Sequence, residues 1–367
     1  MQVPFVDLYA QYQSIKTDID NAINGVITKT AFIGGEYVKE FEQKFAELYG
    51  VKHVISCANG TDSLYIIMKM LGIGEGDDVI TAANSWISSS ETITQAGARP
   101  VFTDPDDTYM SMSTEAVAKA ITTNTKAVMV VHLHGQMVDM EGIQKLCKDN
   151  NLFLIEDCAQ SHFSEYNGKR AATMGIAGSF SFYPGKNLGA YGDAGCIVTN
   201  DDALAAKCRM YANHGALKKH QHEIEGINSR LDGLQAAILT AKLPHILKWT
   251  DGRIANAALY NKHLSDIKSI VLPVVRPGTK HTFHLYMIRA EKRNELQQYL
   301  KEHGVDTAIH YPTALPNLPA YKYLNTTTAD FPIATQLQCE ILSLPMYPEL
   351  QEESIAYIAN CIRTFYS

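Results

Sequence analysis

From residue 53 onward, short apolar runs bounded by turns alternate with longer stretches of helical spacing, and this rhythm constrains the fold more than any other feature. The runs "HVISC" (53–57), "DVIT" (78–81), "PVFTD" (100–104), "KAVMVVHL" (126–133) and "LFLIED" (152–157) are apolar nearly throughout rather than alternating. Strands of that kind are covered on both faces, as in a parallel sheet. Between them lie helix-spaced segments such as "DSLYIIMKML" (62–71) and "MEGIQKLCKDN" (140–150), which are the crossovers a parallel sheet requires. An α/β fold follows, with a mostly parallel sheet flanked by helices. Ahead of it, "EYVKEFEQKFAELY" (36–49) puts Val38, Phe41, Phe45 and Leu48 on one face and stops at Gly50, which predicts a core-facing helix. After residue 250 the pattern changes: helical segments 253–264, 293–304 and 352–366 frame a strand-like "FHLYMIRA" (283–290). The expected division is a large domain over 1–250 and a smaller α+β domain over 251–367.

The 367 residues are 46% hydrophobic and 19% charged, enough to bury a large core. A net charge of -7 offers no electrostatic reason to approach nucleic acid or an anionic membrane. The opening "MQVPFVDLYAQYQS" has no cationic leader before an apolar run, and nowhere do eighteen apolar residues stand together, so a cytoplasmic protein is expected. The seven cysteines form no CxxC pair and are an odd number, which favours reduced thiols in the core.

Three segments carry chemistry. In "SCANGTDSL" a strand ends at Cys57 and a helix begins near Asp62, so the amides of Gly60, Thr61 and Asp62 would face an anion at a helix start. Every βα unit has such a turn, so the segment alone does not separate a phosphate cradle from an ordinary connection. In "LFLIEDCAQSH", Asp157 stands where a buried strand delivers its last residues, the edge at which parallel sheets bind ligands. It reads either as an N-cap or as the partner of a cationic ring nitrogen. In "SFYPGKNLGAYGDAG", Lys186 is a lone cation among small and uncharged residues, between the apolar runs "GSFSFY" and "GCIVTN". Taken singly it reads as a solvated loop lysine, but a sheltered amine is one that condenses with carbonyls. A phosphate turn, an acid for a pyridinium and a sheltered lysine are together what pyridoxal phosphate needs.

At these residues the chain resembles the DegT/DnrJ/EryC1/StrS family of sugar-nucleotide aminotransferases, which have the fold-type I architecture of pyridoxal phosphate enzymes. The matching segments are "CANGTDSL" (57–64), "EDCAQSH" (156–162), "SFSFYPGKNLGAYGDAG" (179–195), "GINSRLDGLQAAIL" (226–239), "HLYMIR" (284–289), "IHYPTALPNLPAY" (309–321) and "LSLPMYPEL" (342–350), in the family's order. The resemblance implies that Lys186 carries the cofactor as a Schiff base, that Asp157 pairs with its pyridine nitrogen, and that Gln160 lies near its ring hydroxyl. Gly60, Thr61 and Ser181 would hold the phosphate, and Trp86 would stack over the ring, although core packing explains most tryptophans. Asn228 would reach the phosphate of a neighbouring copy, which implies a homodimer with shared sites.

The loop "NHGALKKHQHEIEG" (213–226) departs from this plainness. A metal on His220 and His222 lacks nearby carboxylate or cysteine support in the right geometry, so no metal is expected and a mobile polar loop is favoured. Candidate substrate contacts are Tyr183, His214, Lys218, Lys219, His310 and Tyr311, with a packed turn as the plain alternative for the last two. The implied reaction moves an amino group from L-glutamate to a nucleotide-linked keto sugar, with Lys186 as the proton carrier. Some dehydratases of the family carry histidine at the lysine position, so this chain resembles the transaminating branch. The forms of "FYPGKNLGAYGDAG" and "VPFVDLYAQYQSI" resemble enzymes that aminate carbon 3, which points to a dTDP-3-keto-6-deoxyhexose. The alternatives are a UDP-linked 3-keto-2-acetamido sugar acid, a 4-keto sugar nucleotide, or a regulatory protein that keeps the fold without turnover. For such a regulator, no appended basic helix-turn-helix segment is found.

Overall fold

The computed structural model describes residues 1–367. The alternating pattern folds into a seven-stranded sheet of β1 (His53–Cys57), β2 (Asp78–Ala82), β3 (Arg99–Thr103), β4 (Thr125–Val131), β5 (Phe153–Asp157), β6 (Ala177–Ser181) and β7 (Gly195–Thr199), in the order β1-β7-β6-β5-β4-β2-β3. From β3 across to β6 all pairings are parallel, and β7 runs against both of its neighbours. The reversal has a local cause. A parallel return needs a crossover element, and residues 182–194, which join β6 to β7, form turns and no helix.

The two faces of the sheet feed two apolar cores. On β5, Leu154 packs into one and Ile155 into the other; on β7, Cys196 and Val198 share the first and Ile197 the second. The first core receives the helix Gly35–Tyr49, which ends at Gly50 in the left-handed conformation (φ 76°). Phe41 and Phe45 are fully buried, and the Phe45 ring lies 5.6 Å from both Phe180 and Phe182. Each such ring contributes about 1.5–3 kcal/mol by leaving water, and together they clamp β6 and the chain that leaves it toward Lys186.

The helix Ile246–Leu264 runs straight through the division expected at 250/251. Ile246 and Trp249 pack in the first core, whereas Ala257, Tyr260 and Leu264 pack in a separate core. That third core is built on an antiparallel sheet of β8 (Ile270–Val271), β9 (Tyr286–Ala290) and β10 (Ile341–Leu344), and on the helices Arg293–Glu302 and Glu352–Tyr366. One placement differs from expectation. The first residues, assigned to the large domain, lie against this C-terminal core: Val3 donates to Gly304 (2.8 Å), accepts from Asp306 (3.0 Å) and is buried there. An apolar "VPFV" with no strand of its own finds backbone partners at the start of the loop after a helix. Six of the seven cysteines are buried as free thiols and only Cys339 is exposed. No helix is long and apolar enough to cross a membrane.

Candidate active site

Register brings the three sequence segments together. Cys57 of β1 and Ser181 of β6 both stand opposite Gly195 of β7, and Asp157 of β5 stands opposite Ser179. The ends of β1, β5 and β6 therefore meet at one edge of the sheet. There they line a cavity of about 560 Å³, whose walls include Gly60, Thr61, Trp86, Asp157, Gln160 and Lys186.

The turn after β1 becomes the N-terminus of the helix Gly60–Met70, with Asn59 as N-cap accepting from the Asp62 amide at 2.8 Å. The expectation for Asp62 is thereby corrected: the cap occupies its N–H, leaving those of Gly60 and Thr61, which a helix start leaves without an intrahelical partner. The Thr61 hydroxyl is 2.7 Å from that of Ser88, so hydroxyls cluster at the same point. Two glycines make the approach possible. A Cβ on Gly60 would stand 2.7 Å from Ser181 Cβ, and one on Gly195 would stand 2.4 Å from the Asn59 carbonyl carbon. We expect Gly60→Ala to cost about 1–3 kcal/mol of stability by overpacking and to weaken binding of a phosphate-bearing cofactor. Urea unfolding and equilibrium dialysis read the two effects separately.

Asp157 is 6% exposed. Its carboxylate accepts from Ser89 Oγ at 3.0 Å and from the Ala159 amide at 3.1 Å, and Ser85 lies 2.8 Å behind Ser89. Burial raises its pKa against these donors and the attraction of Lys186. A buried carboxylate in that condition is one that a cation relieves, and a protonated pyridine ring meets the demand.

Lys186 sits on the irregular chain between β6 and β7. Its amide donates to Tyr183 O, and the excursion is closed by Phe182 N to Ala194 O and Ala190 N to Phe182 O, all 2.8 Å. The next residue, Asn187, is buried and ties the loop to the C-terminal region through Thr282 O (3.2 Å) and His284 Nδ1 (3.1 Å). Burial lowers the Lys186 pKa to about 8, with Asp157 opposing the shift. Lys242 is lowered to about 8 by burial as well. Geometry separates the two amines: Lys242 Nζ donates to Gly189 O at 2.7 Å as a strut beneath the loop, whereas Lys186 lines the cavity.

Of the remaining expected residues, Ser181, Tyr183, His310 and Tyr311 line the same cavity. Trp86 is 56% exposed over it, 5.5 Å from the Tyr311 ring. His310 stacks on Phe5 at 5.7 Å. Asn228, His214, Lys218 and Lys219 are exposed and outside this chain's cavity. Asn228 pairs with Asn213, and its neighbour Ser229 is pinned to the phosphate turn through Asp62 (2.7 Å) and the Ala58 amide (3.1 Å). His222 Nδ1 is engaged by the His214 carbonyl at 2.8 Å. The buried trio His132, Glu156 and Cys158 has the donor types of a metal site. The Glu156 carboxylate, however, is already satisfied by His132 and by the amides of Ala172, Met174 and Gly175.

The reading from sequence missed Ser85, Ser88 and Ser89. Their signal was "SWISSS", a run of serines buried on a helix start, where side chains of low helix propensity are retained for what they bond. It also missed His134, His284, Phe5 and Asn187, which reach the site only through packing.

Comparison with known proteins agrees with this geometry. The model of the DegT/DnrJ/EryC1/StrS aminotransferase family matches residues 13–363. A relative from Geobacillus stearothermophilus named a pleiotropic regulatory protein is 44% identical, covering 100% of this chain and 99% of its own. The dTDP-3-amino-3,6-dideoxy-alpha-D-galactopyranose transaminase of Aneurinibacillus thermoaerophilus is 40% identical over 99% of each chain. A UDP-N-acetyl-3-dehydro-alpha-D-glucosamine 3-aminotransferase of Acidithiobacillus ferrooxidans is 39% identical, over 98% of this chain and 97% of its own. The crystal structure of DesV from S. venezuelae, in complex with a ketimine intermediate, superposes with a TM-score of 0.97 at 37% identity, covering 99% of this chain and 98% of that one. Fold, cavity and likeness over nearly the whole length agree: the chain belongs to the DegT/DnrJ/EryC1/StrS aminotransferase family and is a pyridoxal-phosphate-dependent transaminase.

Proposed function

We propose that the chain transfers the amino group of L-glutamate to carbon 3 of a dTDP-linked 3-keto-6-deoxyhexose, yielding 2-oxoglutarate and a dTDP-3-amino-3,6-dideoxyhexose. The observation that carries the transaminase chemistry is the convergence of Lys186, Asp157 and the Gly60–Met70 helix start on one cavity. When bound, pyridoxal phosphate supplies the carbonyl that takes up the amino group and the ring that absorbs the electrons of the broken Cα–H bond.

The residues divide the remaining work. Gly60 and Thr61 N–H groups and the Ser181 hydroxyl hold the phosphate. Asp157, kept in place by Ser89 and Ala159, holds a proton on the pyridine nitrogen. Lys186 Nζ, whose lowered pKa leaves a useful neutral fraction near neutrality, would take the proton from the α-carbon of glutamate and hold it for return at a second carbon within its reach. The loop around it allows that reach, because Lys186 is anchored through its own backbone and Asn187 rather than through its amine. Trp86 covers the ring, and Tyr183, His310 and Tyr311 border the space left for the sugar.

The same reading takes the enzyme as a homodimer. Exposed apolar side chains Phe32, Ile33 and Tyr191 gather around the start of the helix Gly233–Lys242, five residues beyond the exposed Asn228. A second copy on that surface would bring Asn228, and with it the His214, Lys218 and Lys219 loop, toward the facing cavity. Sedimentation equilibrium tests this; a monomer removes it.

The dTDP-linked acceptor is supported by the name of the Aneurinibacillus relative, and a UDP-linked 3-keto sugar by that of the Acidithiobacillus relative at nearly the same identity. The regulatory name of the Geobacillus relative does not displace catalysis, because a regulator has no need of a depressed lysine facing a buried carboxylate. Offering the enzyme dTDP- and UDP-linked 3-keto and 4-keto sugars with glutamate, and reading the product by NMR, decides among them. The expected product is a dTDP-3-amino sugar. Amination of only a 4-keto or only a UDP-linked sugar overturns that acceptor, and loss of a hydroxyl without gain of nitrogen overturns transamination.

A further inference from the structure

Gln160 joins two buried groups and faces the cavity. Its Oε1 lies 2.9 Å from His134 Nδ1, and its Nε2 lies 2.9 Å from the Tyr311 hydroxyl. A carboxamide can be turned end for end at such a position, and the two orientations offer the cavity different groups: a second N–H in one, a second lone pair in the other. What sets the orientation is the tautomer of the histidine behind it.

His134 is 6% exposed, and its other nitrogen, Nε2, has no hydrogen-bond partner. It borders a void of about 10 Å³ together with Asn84, whose Oδ1 is likewise without a partner and whose Nδ2 is committed to Met110 O at 2.8 Å. A proton on Nε2 would be a buried donor with no protein acceptor, a rarer and costlier defect than an unused lone pair.

We infer that His134 is a positioning residue: held as the Nδ1–H tautomer, it donates to Gln160 Oε1 and so fixes the Gln160 amide nitrogen toward Tyr311 and the cofactor cavity. Burial keeps the ring neutral, its pKa lowered to about 4, so the donor is present across the working range. Gln160 then presents N–H to an acceptor oxygen on the ring of the bound cofactor. The assignment rests on the transaminase reading for its consequence, but not for its geometry.

The experiment follows that division. In the cofactor-free protein labelled with ¹⁵N-histidine, the His134 ring is expected to show a protonated Nδ1 and a bare Nε2; a protonated Nε2 overturns the inference whatever the enzyme's activity. His134→Leu removes the donor, whereas His134→Asn places an amide nitrogen where Nδ1 stood. In loaded enzyme, His134→Leu should lower kcat by roughly ten- to a hundredfold, leave KM for glutamate within about twofold, and displace the long-wavelength absorption band of the bound cofactor. His134→Asn should restore both rate and band. Equal losses in the two variants with an unmoved band overturn the positioning role. If His134→Leu does not fold, the ring tautomer in the unaltered chain still decides.

Discussion

A Lys186→Ala chain is expected to lose at least about a thousandfold in the rate of amino transfer, the range a positioned proton carrier supplies, while still binding pyridoxal phosphate without a covalent link. The groups proposed to bind it are elsewhere on the cavity wall: Gly60 and Thr61 at the helix start, Ser181 at the end of β6 and Asp157 at the end of β5. Borohydride should fix the cofactor on the unaltered chain and leave Lys186→Ala unlabelled by mass spectrometry. Residual activity above a tenth of the parent's would sink the assignment and turn attention to Lys242. The pH dependence of loading tests the same residue without mutation. Only the neutral amine attacks a carbonyl. With its pKa lowered to about 8, the loading rate of the cofactor-free protein should rise about tenfold per pH unit below 8 and level off above it. An amine in water, titrating near 10.4, would show the rise continuing well past pH 9.

Asp157→Asn should lower kcat by roughly a hundred- to a thousandfold, the cost of removing one preorganised electrostatic partner from a dry site, with little or no loss of stability. Asparagine matches the shape. Its oxygen can still accept from Ala159 N–H, and the Ser89 hydroxyl can rotate to accept from the new amide while donating to Ser85, 2.8 Å away. What disappears is a buried carboxylate whose pKa burial has raised, a group that costs the fold more than it contributes. The expected pattern is therefore a crippled enzyme with an unchanged or raised melting temperature, the trade-off usual for catalytic charges. A kcat within threefold of the parent's would mean that Asp157 is only a cap for the turn that follows it.

Much of this is legible in the sequence alone. Unbroken apolar runs separated by helical spacing identify a sheet covered on both faces, because a strand exposed on one face could not tolerate them. Asp157 and the Asn59–Gly60–Thr61 turn are legible for a similar reason: each ends a buried strand, and such ends are where a parallel sheet meets its ligand. Lys186 taken singly reads as a solvated loop lysine; it stands out because glycines and apolar runs flank it on both sides. The likeness of whole segments to one family then tied the three together.

Other features became visible only in three dimensions. Nothing local marks "VPFV" as belonging with residues 304–306, or shows that Asn187 must reach Thr282 and His284 to hold the lysine loop. His134 lies just beyond the apolar run that ends at Leu133, with nothing local to mark it, yet its partner is Gln160, twenty-six positions away. Periodicity and turn chemistry act through neighbours in the chain, so sequence by itself determined the strands, the crossovers and the reactive residue types. Register and side-chain hydrogen bonding act between segments far apart. It took the folded chain to set Ser181 beside Gly60, to give Asp157 its serine and to leave one nitrogen of His134 without a partner, because those outcomes depend on distances the linear order does not contain.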